Sequence, residues 1–128
     1  MTPPTVDTCA LIATTTVASA LRAPVREGRH LAGNGACQYH AIGRPVTATI
    51  AERAADVRYF ETYVRNAHGE LAVVPQPVAG LGDRAARWPG TVVVLIHRKF
   101  ALVTVIGLAR PQAQDAALAI ARAVASKL

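Results

Sequence analysis

The stretch 91–107 constrains the fold of this chain more than any other. It reads TVVVLIH, then Arg98 and Lys99, then FALVTVIG. Two apolar, β-branched runs flank a cationic pair, which is the pattern of a β-hairpin with strands over 91–97 and 100–107. Both runs are nearly continuous in apolar residues, so both faces of each strand are expected to be covered. A membrane span needs about 20 uninterrupted apolar residues, and Arg98-Lys99 cuts this stretch into two pieces of strand length. The hairpin is therefore expected at the centre of a sheet, with the cationic pair exposed at its tip, where charge discourages further strand pairing.

The remaining segments supply what such a sheet needs. Residues 36–41 and 46–51 alternate in the strand manner around the turn Gly43-Arg44-Pro45, which predicts a second hairpin with one face covered. Residues 53–66 read as a helix, with Val57, Phe60 and Val64 on one face, Tyr63 beside them and His68-Gly69 at its end. Pro111 opens a last helix over 111–128, whose buried stripe is Ala117, Ile120, Ala121, Val124 and Leu128. Near the start, Asp7 or Thr8 caps a turn over 9–12. One of the threonines at 14–16 restarts a helix over Val17, Ala18 and Leu21. Residues 22–35, with Gly28, Gly33, Asn34 and Gly35, read as a loop or irregular hairpin. A short strand over 71–74 and a glycine-bearing connection over 78–85 complete the order. The prediction is one α+β domain over 7–128. It is a mainly antiparallel sheet packed by N-terminal, middle and C-terminal helices, and a mobile Pro/Thr lead-in over 1–6 precedes it.

A chain of 128 residues that is 52% hydrophobic and 17% charged has the composition of a folded domain. The net charge of +6 favours attraction to acidic surfaces. The arginines are scattered and aromatics are few, so a nucleic-acid partner is disfavoured and a solvated basic surface is the simpler reading. No nucleophile elbow surrounds Ser19 or Ser126, and the eight carboxylates form no recognisable pair. Gly80-Leu81-Gly82-Asp83 lacks the third glycine and following helix of a dinucleotide loop, so Asp83 is expected to cap local amides in a turn. Neither the spacing of His30, His40, His68 and His97 nor that of the cysteines marks a metal site. His40 and His97 are the pair that adjacent strands would have to bring together, and exposed strand-end histidines are the simpler account. No catalytic residue, cofactor or metal is expected. Cys9 and Cys37 suit one disulfide in an exported protein, or two buried thiols in a cytosolic one. The opening Met1-Thr2-Pro3-Pro4-Thr5 reads as a start placed before a linker, which favours export with the leader removed.

The cysteine-bearing opening at 7–12, Cys37 on a strand after a variable loop, and the segment VAGLGDRA at 78–85 before an apolar hairpin and an alanine-rich helix resemble small secreted lipoprotein domains of actinobacteria. The layout is also similar to extracellular sensor domains of mycobacterial receptor kinases. The resemblance implies that Cys9 and Cys37 are joined, that the Gly-Leu-Gly-Asp segment is structural, and that no catalytic residue is carried over. It implies a secreted or cell-envelope location, with membrane proximity through an anchor outside this sequence. The function expected is that of an exported, non-enzymatic domain binding a protein or small acidic ligand at a cleft or sheet face. Arg98 and Lys99 are its candidate partner-binding residues. The alternatives are a self-associating module, including a homodimer, and, last, a small enzyme.

Overall fold

In the computed structural model, which describes residues 7–31 and 35–128, the run at 91–96 forms strand β6 (Thr91–Ile96) and the next forms β7 (Lys99–Ile106). Ile96 pairs with Lys99, so the hairpin closes through a two-residue loop, His97-Arg98. Both loop residues have positive φ, 51° and 61°. That is the twist with which a two-residue turn matches its flanking strands.

Five more strands extend the sheet: β1 (Arg29–Leu31), β2 (Ala36–His40), β3 (Thr47–Ala54), β4 (Gln76–Pro77) and β5 (Arg84–Trp88). The order is β1-β2-β3-β7-β6-β5-β4, and every neighbouring pair is antiparallel. The hairpin is central, as its apolar runs predict. The fold is α+β on an antiparallel sheet.

Three helices cover the sheet unequally. Helices α1 (Thr14–Leu21) and α3 (Arg110–Ala125) share one face, where Val17, Leu21 and Ile120 join Ile50, Val92, Val94 and Val103 in one core. Helix α2 (Val57–Leu71) lies on the other face, where Phe60 packs with Trp88, Val93, Leu95 and Phe100. Val92 and Val94 therefore point one way and Val93 and Leu95 the other, and all four are buried. Each such side chain contributes about 1.5–3 kcal/mol by leaving water.

Strands β2 and β3 are different. Cys37, Tyr39, Ala48 and Ile50 are buried towards α1 and α3, while Gln38, Thr47 and Thr49 are half-exposed on the face that α2 does not reach. Strand β7 runs out from under α2, so Ile106 at its end is 63% exposed. Within the hairpin, two-sided covering thus holds for β6 and for the start of β7.

A disulfide joins Cys9 to Cys37, with Cα atoms 5.1 Å apart, and ties the 3-10 turn Thr8–Ala10 to β2. Asp7 caps that turn by accepting from the Cys9 amide. The buried Tyr39 hydroxyl donates to the carbonyls of Ile12 and Cys9. Burial, and then the nearby Asp7 charge, push its phenol above the ordinary value of 10.0.

Several boundaries differ from those read in the sequence. Strand β3 continues through Ala54, because Glu52, Arg53 and Ala54 pair with Ala101, Phe100 and Lys99. The helix then starts at Val57, where Asp56 accepts from the Tyr59 amide. Val57, expected in the core, is 43% exposed. Gly69 lies inside α2, and Ala72 supplies the left-handed C-cap at φ 53°. Residues 71–74 form no strand: Leu71 ends the helix, and the short pairing falls on Gln76–Pro77. Of the two readings of 22–35, loop or irregular hairpin, the second holds, since the segment contains β1, which pairs antiparallel with β2. The expected connection over 78–85 ends in β5, a full strand against β6. Helix α3 stops at Ala125, and Leu128 is half-buried beyond it. The lead-in 1–6, together with Gly33 and Asn34 of the expected loop, lies outside the described residues.

Candidate functional site

A cleft of 840 Å³ lies at the Gly107 end of β7, within the usual volume of a small-molecule site. Three segments distant in sequence meet there: the C-terminus of α1, the β2–β3 turn and the start of α3.

Each segment presents its polar group for a local reason. Leu21 anchors the last turn of α1 in the core, and Arg22 follows as a left-handed C-cap (φ 55°). This carries the Arg22 side chain off the helix and into the lining. Arg44 sits in the tight turn closed by the Ala41 amide donating to the Val46 carbonyl. Gly107 holds that turn against the end of β7. Its φ is +103°, and a Cβ there would strike the Pro45 carbonyl and lie 2.9 Å from Val46 Cα, so no other residue fits without displacing the turn.

Helix α3 opens onto the cleft at Leu108, Ala109, Pro111 and Gln112. Its N-cap is Ala109, which makes no side-chain capping bond, and no acid lies in its first turn. The free amides and the positive end of the helix dipole are thus left without a carboxylate partner. Among the described residues the ion pairs are His30–Asp7 and Arg84–Glu61, so Arg22, Arg44 and the lining carboxylate Asp115 are unpaired. Guanidinium groups bind carboxylate or phosphate oxygens through paired N–H donors, and a helix N-terminus favours the same charge. The chemistry of this lining is that of anion capture, with Gln112 and Ser19 as further hydrogen-bonding groups.

The residues singled out in the sequence lie elsewhere. Arg98 is exposed in the hairpin turn, at the end of β7 opposite the cleft. Lys99 is not at the tip but is the first residue of β7, half-buried and paired with both Ile96 and Ala54. Asp83 caps no local turn: it accepts from the His97 amide across the sheet, at 3.3 Å. Gly82 permits this, because a Cβ there would lie 2.7 Å from the Leu95 carbonyl oxygen. His40 and His97 do not meet. His40 is at the Thr47–Ile106 end of the sheet, against the Gln38 side chain, and His97 is at the other end, against the Leu128 carbonyl. A shallower groove lies between α2 and β5, lined by Phe60, Val64, Pro75 and Arg84.

Sequence reasoning missed Arg22, Arg44 and the uncapped α3 terminus as a group. The signals were present singly: an arginine between Gly43 and Pro45, another ahead of Pro24, and a helix opening at Pro111 without an acid. No protein family, curated protein or solved structure matches this chain.

Proposed function

We propose that this chain is an exported, non-enzymatic binding domain that takes a small acidic ligand in the cleft between α1, the β2–β3 turn and α3. The observation that carries the reading is that two arginines without an ion-pair partner among the described residues, Arg22 and Arg44, line one concavity with an uncapped helix N-terminus. The net charge of +6 draws the same class of ligand. Export is supported by the disulfide, since such bonds persist in oxidising compartments. No helix among the described residues is long and apolar enough to cross a membrane.

The test is a thermal-shift titration with citrate and inorganic phosphate, on the wild type and on a variant carrying Arg22→Glu and Arg44→Glu. Both side chains are exposed, so the variant keeps its fold. Bound ligand raises the melting temperature by mass action, whereas general exclusion of these salts raises it equally in both proteins. A shift confined to the wild type supports the reading, and equal shifts overturn it.

A second reading is self-association through the uncovered half of the sheet, favoured by Ile106, 63% exposed beside Thr47. Sedimentation of Ile106→Lys against the wild type separates the two: a dimer lost in the variant supports self-association.

A further inference from the structure

The disulfide is not isolated chemically. Asp7 Oδ1, Cys9 Sγ and His30 Nε2 all lie within 4.8 Å of one another, and the His30–Asp7 contact is 3.4 Å. Cys37, the other half of the bond, is the direct cross-strand partner of His30 in the β1–β2 pairing. Three metal-ligating side chains thus lie together, and the fourth, Cys37, is bonded to one of them and paired across the strands with another.

We propose that reduction of the Cys9–Cys37 bond converts this cluster into a zinc-type site, with Cys9 Sγ, Cys37 Sγ, His30 Nε2 and Asp7 Oδ1 as its four ligands. A tetrahedral ion holds nitrogen and oxygen ligands at about 2.0–2.1 Å, which sets them roughly 3.3–3.4 Å apart. The observed His30–Asp7 separation of 3.4 Å matches that spacing. The same ion holds thiolates at about 2.3 Å, so the sulfurs must part to roughly 3.8 Å. Asp7 and Cys9 lie on the same 3-10 turn, so they can shift only together. Gly28 packs closely on Cys37 Sγ, where a Cβ would stand 2.6 Å from the sulfur. The site is also accessible, because the His30 and Asp7 side chains are 42% and 50% exposed.

The bond acts as the gate. In the oxidised protein both sulfurs are engaged with each other and only His30 and Asp7 remain as ligands. A dithiol reductant delivers two electrons and two protons to the bond, giving two thiols and its own disulfide. The incoming divalent ion displaces both thiol protons to solvent, since thiolate is the ligating form. Two thiolates and two N/O ligands suit zinc over magnesium or calcium, which prefer oxygen shells.

The experiment is a Co2+ titration of the protein before and after reduction with a phosphine, under anaerobic conditions. The reduced wild type should bind one Co2+ per chain, with thiolate charge-transfer absorption and the intense visible bands of tetrahedral cobalt, and Zn2+ should displace it. The oxidised protein should show neither band. His30→Ala and Asp7→Ala, both at exposed positions, should each weaken binding at least about tenfold in the reduced state. If the reduced chain loses its far-ultraviolet signal, the same titration is followed by recovery of that signal, and recovery on adding Zn2+ supports the site. A reduced chain that binds no Co2+, stays unfolded with Zn2+, or binds equally well without His30 or Asp7 overturns the proposal.

Discussion

Replacing Cys9 and Cys37 together by alanine removes the covalent tie between the 3-10 turn and β2, and its cost follows from the size of the loop. The two cysteines are 28 residues apart. A cross-link closing a loop of that size restricts the unfolded chain by about 12 cal/mol/K, or about 3.6 kcal/mol at 25 °C. At about 2.1 cal/mol/K of unfolding entropy per residue, a chain of 128 residues loses about 13 °C of melting temperature for that change. The Tyr39 hydroxyl bonds at 3.3 and 3.4 Å are long, and the turn packs mainly on β1, β2 and β3. Calorimetry of the wild type, the double alanine variant and the reduced wild type without metal checks the estimate. Both altered forms should melt about 10–15 °C lower. A fall under about 3 °C would refute the reasoning, because the unfolded chain would then gain little freedom when the bond is absent.

Three further outcomes follow from the fold. Arg98→Gly should raise the unfolding free energy measured in urea by about 1 kcal/mol, since a non-glycine residue at φ 61° carries a penalty of roughly 1–2 kcal/mol; an unchanged value would mean an unstrained turn. Val93→Thr and Val94→Thr should each cost about 1–3 kcal/mol in urea unfolding, because each buries a hydroxyl, one under α2 and one under α3; a loss at only one position would leave one face uncovered. Stability should also fall in alkali. Burial raises the Tyr39 and Tyr63 phenols above 10.0 in the fold, so the folded state binds these protons more tightly than the unfolded chain. That stabilisation is complete below pH 10 and drains away as pH rises through the folded values. Tyr39→Phe should flatten the alkaline slope of melting temperature against pH, and an unaltered slope would mean that Tyr39 does not carry it.

The parts of the fold written in side-chain pattern were legible. The continuous apolar runs at 91–107 marked the central hairpin, and the stripe through Ile120 marked α3. The alternation in β2 and β3 marked strands with one covered face. Strand β5 was not legible, because Arg84, Ala85, Ala86 and Arg87 have little β preference; pairing with β6 imposes the conformation. The start of α2 was misplaced because Glu52 and Arg53 read equally well as helix. What decides is the ladder to β7, with the Arg53 guanidinium then stacking 4.4 Å over the Tyr59 ring. The cleft left only separate local traces, since its arginines, Arg22 and Arg44, meet α3 through tertiary packing and the close approach at Gly107.

The claim that the cleft is the ligand site is tested most directly by backbone amide NMR of the wild-type protein titrated with citrate. The account predicts saturable shifts concentrated at 19–22, 44–46 and 107–112, the three segments that line the cleft. It also predicts their loss in the variant carrying Arg22→Glu and Arg44→Glu. Shifts concentrated instead at the hairpin turn around Arg98 and Lys99, or spread evenly over the basic surface, would contradict it.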